Sequence, residues 1–272
     1  MFLLHGTPGS RRGPRPRASV LHRLGVRLIG YDRPGYGRSD RAPGRLVRDA
    51  AADVRAIADA LGLDRFAVAG RSGGGPHALA CAALLVGRVT RAAALGSLAP
   101  HDADGLDWYA GMTASNVDTY RIAEQGAPAL SERLASHEHR VRQDPEAGLP
   151  FGDPGLPEHD RRVVADFGIR SLFVEAVAEA FQRSGDGWGD DMLAFCRPWG
   201  FQPAAAVAPI LLWHGALDVF SPVAHTLWLA GRIRNATIVV EPERAHFGAV
   251  TALPQVLSWL IAHEQRPWLA AA

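Results

Sequence analysis

The sequence predicts an α/β fold: a mainly parallel sheet with helices on both faces, interrupted by an all-helical insertion. Three observations carry this. Short apolar runs that read as buried strands alternate with helical patterns over residues 1–99 and again over 204–272, which is the pattern of βαβ units. Between about Pro100 and Pro203 strand character stops and only helices are read. One apolar run ends abruptly in Gly70-Arg71-Ser72-Gly73-Gly74 with an Ala/Leu-rich helix directly behind it, so a serine sits at the apex of a strand–turn–helix unit. The expected organisation is a core of residues 1–99 and 204–272 carrying a helical lid at 100–203.

The elements follow in order. Met1 to Leu4 reads as a strand running into the loop His5-Gly6-Thr7-Pro8-Gly9-Ser10. Ser19 to Gly25 suits a short helix and Val26 to Tyr31 a second strand. The next stretch, Asp32 to Asp40, is too rich in Gly and Pro for regular structure. Val47, Ala50, Ala51, Val54, Ile57, Ala58 and Leu61 recur at helical spacing, and Gly62 is a fitting stop. The strand Arg65 to Ala69, the serine turn and a helix from Gly75 to Val86 come next, then a buried strand from Val89 to Leu95. Helices are predicted at Leu106–Ala114, Val117–Glu124, Pro128–Val141, Glu158–Phe167, Ser171–Gln182 and Asp190–Cys196. The alternation resumes with a strand at Pro209–Trp213, a helix at Val223–Ala230, a strand at Thr237–Val240 and a last helix from Leu253 to His263.

Bulk properties exclude several classes. A chain of 272 residues with 47% hydrophobic and 21% charged content has the material for a full core. A net charge of +1 gives no reason to expect nucleic acid or an acidic membrane as partner. No apolar run approaches a membrane span, and no secretory signal is read at the N-terminus. Cys81 and Cys196 lack metal or disulfide spacing, so a reducing cytoplasm is expected, with Cys81 as a core residue. Every cation other than histidine is arginine, a bias of GC-rich bacterial genomes. The arginines dense between Arg11 and Arg48 read as a solvated basic face, with an anion site as the alternative.

The motifs together resemble the α/β-hydrolase superfamily, in particular lid-bearing serine hydrolases with an HG-x-P-G-S loop. The matching stretches are His5 to Ser10, Asp32 to Asp40, Gly70 to Gly74, Trp213-His214-Gly215-Ala216-Leu217-Asp218 and Ala245-His246-Phe247, in the family's order. The resemblance implies a sheet of eight mainly parallel strands and a Ser–acid–His constellation. Ser72 is the expected nucleophile. His246, in a loop after the last predicted strand, is the expected base, and Asp218 in the H-G-x-x-D stretch is preferred as the acid over Asp102 and Asp104. The backbone N–H groups of Thr7 and Gly73 are the expected oxyanion hole. His5 and His214 read as structural, His77 as packed, and His137, His139 and His159 as surface residues of the lid. Asp190 and Asp191 read as substrate-binding or helix-capping.

Trp108, Trp188, Trp199 and Phe247 are the candidate pocket residues, and the lid end around Gly187-Trp188 and Trp199-Gly200-Phe201 resembles actinobacterial-type hydrolases. The implied activity is hydrolysis of an ester, lactone or thioester with an apolar moiety, without metal or organic cofactor. Serine at the turn argues against the epoxide-hydrolase and dehalogenase branches, which need aspartate there. The alternatives are a lyase, cyclase or acyltransferase, or a proline-iminopeptidase-like enzyme using Glu175, Glu179, Asp190 and Asp191. The family's usual N-terminal β-hairpin is not found ahead of His5. Either the hairpin is truly lacking or the start of the sequence falls too late; if it is lacking, the strand at Val26–Tyr31 is expected to present an open edge, covered by a partner chain in a homo-oligomer or by another segment.

Overall fold

The computed structural model describes residues 1–262. Its centre is a five-stranded sheet in the order β1 (Phe2–Leu4), β2 (Phe66–Arg71), β3 (Val89–Leu95), β4 (Ile210–Gly215) and β5 (Ala236–Glu241), every neighbouring pair parallel. Strand side chains alternate between two cores, as a period of two requires. Val68, Ala92, Ala94, Ile210 and Leu212 face one core, with α2 (Ala50–Ala60), α3 (Gly74–Leu84) and α9 (Val223–Ala230) packed on that side. Ala67, Ala69, Ala93, Leu95, Leu211 and Trp213 face the other, closed by α10 (Gly248–Ile261), by Leu21 of α1 (Ala18–Arg23) and by Leu24 just after it. Burial on both faces explains why β2, β3 and β4 read as unbroken apolar runs.

The segment between β3 and β4 contains only helices among its regular elements: α4 (Ala114–Glu124), α5 (Ala127–Gln143), α6 (Glu158–Ala165), α7 (Phe167–Ala180) and α8 (Asp186–Phe195), with short 3-10 turns. None of the described helices is long and apolar enough to cross a membrane.

Several expectations need correction. Five strands are present among the described residues rather than eight. Val26–Tyr31 is not a strand: it contributes one bridge, Ile29 to Phe2, with Leu3 N–H donating to Ile29 O and Ile29 N–H to Met1 O. Gly25 precedes this stretch, Gly30 interrupts it, and its side chains are at most half buried, so packing does not hold it straight. The open edge on which a homo-oligomer was to rest is therefore the three residues of β1 with this bridge. Leu106–Ala114 is a series of turns, bent at Gly105 and Gly111, both at positive φ; the helix starts at Ala114 behind Thr113, whose Oγ accepts from Asn116 N–H. In contrast, α8 starts four residues earlier than expected, through Gly187 and Gly189, because tertiary packing overrides their low helix propensity. Pro254 lies inside α10 rather than near its start, since the buried face from Ala249 to Leu260 needs the longer helix. His263, the predicted end of α10, lies outside the described residues.

Candidate active site

Ser72 follows β2 directly and carries a φ of +54°, the one positive φ at a non-glycine residue among the described residues. That strain is held by close packing: Ser72 N–H donates to Leu95 O at 2.7 Å, and Gly75 N–H to Ser72 O at 2.7 Å. The flanking glycines are required sterically. A Cβ on Gly70 would run into the Gly74 carbonyl, and one on Gly74 into the Leu4 carbonyl of β1. The turn therefore forms where β1, β2 and α3 pinch together, with the Ser72 side chain left outside.

The loop between β5 and α10 brings His246 to it. His246 Nε2 lies 3.0 Å from Ser72 Oγ, and Nδ1 lies 2.7 Å from Asp218 Oδ2. Asp218 stands three residues after β4. Its Oδ1 accepts from the N–H groups of Phe220 and Ser221 at 2.8 and 3.0 Å. Burial alone would raise this carboxyl; the His246 charge and the hydrogen bonds from His214 and His246 outweigh it and hold the carboxyl below the usual range. Asp102 and Asp104 are exposed and take no part in this arrangement. The Phe220 ring lies edge-on to the imidazole at 5.2 Å, and Asp160 of α6 accepts from Phe247 N–H at 2.8 Å. Both fix the histidine loop, and neither carried a signal in the sequence. His159, expected at the surface, accepts from Ala245 N–H at 3.3 Å, so the helical segment holds this loop at two adjacent points.

Thr7 and Gly73 line the same cavity as Ser72, and no acceptor for either N–H is found among the described residues. The Thr7 hydroxyl does not point to a ligand: it donates to Asp191 Oδ2 at 2.5 Å. Asp191 is the surprise of the region. Wholly buried on α8, it meets Arg33 and Arg45 at 2.6 Å each and the Tyr36 hydroxyl at 2.8 Å. Burial would raise its carboxyl, but Arg33 and Arg45 overcome this and hold it well below the carboxylate range. Arg33 also donates to the His5 and Gly6 carbonyls, at 2.5 and 3.1 Å, so one ion cluster ties the Thr7 loop to the helical segment. Of the eleven arginines from Arg11 to Arg48, Arg33 and Arg45 are internal, while the other nine are exposed as a solvated face requires. Among these nine, Arg11 pairs with Asp32 and Glu179, and Arg41 with Asp186 and Asp190. Asp190 and Asp191 are neither substrate ligands nor caps, because both are engaged by arginine.

Ser72 opens into a cavity of about 320 Å³. Phe173, Trp188, Phe195, Phe220 and Phe247 supply apolar wall, and His137, expected at the surface, lines it beside Trp188. Trp108 and Trp199, expected in the pocket, do not line it. Trp108 is buried beneath the sheet's carboxyl edge, its indole N–H donating to Ala99 O at 3.0 Å and its ring against Tyr120 and His225. Trp199 is buried against Phe201, and its carbonyl accepts from Arg48 N–H at 3.1 Å. Both rings seal the helical segment to the core. Among the described residues no group of three or more His, Cys, Asp or Glu side chains is placed to hold a metal ion.

Three buried histidines give the fold a pH dependence. His5 donates to Gly6 O and accepts from Arg33 N–H, and His225 accepts from Ala99 N–H and donates to Trp108 O, so each ring is used as a neutral tautomer. His77 donates to Gly73 O. Burial, with the Arg33 charge second, pulls His5 well below its usual value and His77 down to about 3. Burial, with His214 second, pulls His225 down to about 4. The unfolded chain takes up these protons first, so this stability is complete above about pH 6.5 and is lost as pH falls toward the folded values. The unfolding free energy is expected to fall by about 1.4 kcal/mol per pH unit for each histidine between about pH 6 and pH 4. Urea denaturation across that range checks it; a flat profile contradicts it.

The fold has counterparts among solved structures. A malate-bound thermophilic esterase from Thermogutta terrifontis is 22% identical, with 95% of this chain and 86% of that one covered at a TM-score of 0.62. The enol-lactonase from Burkholderia xenovorans is 20% identical, with 96% and 90% covered at 0.64. A bromoperoxidase from Bacillus anthracis is also 20% identical, with 96% and 90% covered at 0.69. At these identities the likeness is one of fold. No match was found among curated proteins. The family model for the alpha/beta hydrolase fold matches residues 1–252, the whole span from β1 into α10 that builds the sheet and the Ser72 turn, and the chain belongs to that family.

Proposed function

We propose that this protein is a serine hydrolase that cleaves a carboxylic ester, lactone or thioester through an acyl-Ser72 intermediate. The observation that carries this is the unbroken relay from Ser72 Oγ to His246 to Asp218, facing a cavity that also holds the two N–H groups left without an acceptor. In this reading His246 Nε2 takes the Ser72 proton as Oγ attacks the carbonyl carbon. The Thr7 and Gly73 N–H groups hold the oxyanion, and Asp218 stabilises the imidazolium. The carbonyl re-forms as the leaving group departs with the proton from His246. Water, deprotonated by the same histidine, then releases the acyl group. Residues 100–203 act as a lid whose aromatic side chains shape the pocket. Esterase and enol-lactonase among the similar structures support this class of reaction.

A proline-iminopeptidase-like activity lacks its amine site. Glu179, Asp190 and Asp191 are paired with arginine, Glu175 is exposed, and none of the four lines the cavity. The test is turnover of short- and medium-chain p-nitrophenyl esters together with labelling by a fluorophosphonate probe. Turnover with the label on Ser72 is the expected result. Absence of both would move the lyase, cyclase or acyltransferase readings forward.

A further inference from the structure

Arg71 stands between Gly70 and Ser72, and no step proposed above uses its side chain. It is 8% exposed, yet among the described residues its guanidinium has neither a hydrogen-bond acceptor nor an ion pair. The contrast with the other deeply buried guanidiniums is sharp, since Arg33 and Arg45 each meet Asp191 at 2.6 Å. Arg71 rests instead over the Phe173 ring, 5.0 Å from its centroid, and reaches toward the Thr7 loop, where a Cβ built on Gly6 would stand 3.1 Å from Nη2.

Arg71 lines the Ser72 cavity and also a second cavity of about 250 Å³ behind the Thr7 loop. The second has no acidic lining residue among those described. The first has one, Asp153, whose Oδ1 is already engaged by Gly155 N–H at 2.7 Å. Asp160 is the one acid whose charge acts appreciably on Arg71, and it is held by Phe247 N–H outside ion-pair distance. Burial pulls Arg71 down to about 10, which still leaves it charged at neutral pH. A cation set this deeply in the cavity wall, with five donors and no protein acceptor, is costly unless something in the cavity brings the counter-charge.

We infer that Arg71 is an anion-recognising residue of the substrate site and that the substrate is an ester or lactone bearing a carboxylate. This rests on the serine-hydrolase reading for the reaction, though not for the binding. The substrate carboxylate accepts charge-assisted hydrogen bonds from the guanidinium while the carbonyl lies against Ser72. Arg133 of α5, exposed and also lining the cavity, adds positive potential along the approach.

The test uses the full chain and two matched pairs followed by pH-stat titration. Monoethyl adipate against ethyl hexanoate places the charge on the acyl side; 4-carboxyphenyl hexanoate against phenyl hexanoate places it on the alcohol side. The wild type is expected to favour the carboxylated member of at least one pair by about tenfold or more in kcat/KM. Arg71→Met should erase that ratio and Arg71→Lys keep part of it. Adipate binding to the Ser72→Ala protein, measured by calorimetry, should weaken by about tenfold or more when Arg71→Met is added and by less when Arg71→Lys is added.

Preference for the neutral member of both pairs, or a preference that survives Arg71→Met, overturns the inference. So does a lower Tm in Arg71→Met with the ratio unchanged, which would make Arg71 a structural counter-charge to Asp160. If no ester is hydrolysed but adipate binds through Arg71, the anion site stands and the hydrolase reading falls. If esters are hydrolysed without preference and adipate does not bind, the anion site alone falls. Neither hydrolysis nor binding overturns both.

Discussion

Ser72→Ala is expected to lower kcat for ester hydrolysis by about ten-thousand-fold or more, with the fold and thermal stability little changed. In the proposed reaction the hydroxyl is the attacking atom, so its loss would remove the acyl-enzyme route entirely. What survives is the binding and polarisation offered by the Thr7 and Gly73 N–H groups. Asp218→Asn should cost nearly as much, by about a thousandfold to ten-thousandfold, for a different reason. Phe220 and Ser221 N–H groups donate to Oδ1, so the amide oxygen would stay there and the NH₂ would face His246 Nδ1. The imidazole would then carry its proton on Nε2, toward Ser72 Oγ, and could not accept another, which is the wrong tautomer for a general base. Steady-state kinetics on one p-nitrophenyl ester, with circular dichroism of each variant, measures both. Retention of more than about one per cent of wild-type kcat in Ser72→Ala would remove Ser72 from the reaction.

Asp191→Ala is expected to destabilise the protein by about 3–5 kcal/mol, the usual cost of stripping one partner from a buried ion cluster. The substitution strands Arg33 and Arg45, both buried, and frees the Tyr36 and Thr7 hydroxyls. Activity should fall with stability, because the Thr7 loop loses its tie to α8. Asp190→Ala is the control. Its partner Arg41 is 41% exposed at the side chain, and a pair with one member in water is worth about 1 kcal/mol or less. Urea denaturation at neutral pH compares the two. Equal effects would mean that the Asp191 cluster contributes no more than a surface pair. Because Asp191 is held below its unfolded value of about 4, the stability it brings is complete above that pH and is lost as the pH falls below it.

The sequence by itself determined the alternation of β2, α3, β3, β4, α9 and β5, and the position of the serine turn. These are local matters: apolar runs bounded by glycine make buried strands, and Gly70 and Gly74 leave the chain few other ways to turn. It also supplied the residue types and order of Ser72, Asp218 and His246, whose side chains the fold brings within hydrogen-bond reach. Tertiary structure decided the rest. Val26–Tyr31 has strand composition but gains only one bridge, and Gly187 and Gly189 sit in a helix because packing outweighs propensity. Trp188 reaches the cavity while Trp108 and Trp199 do not, although all three are aromatic residues of one helical segment. Charged residues were the least legible. Asp191 lies 158 residues from Arg33 and becomes its partner, whereas Arg71, beside the nucleophile, is buried without one. Local pattern reports which face of an element is apolar; it holds no record of which distant charge will arrive beside it, and burial fixes the consequence of that meeting.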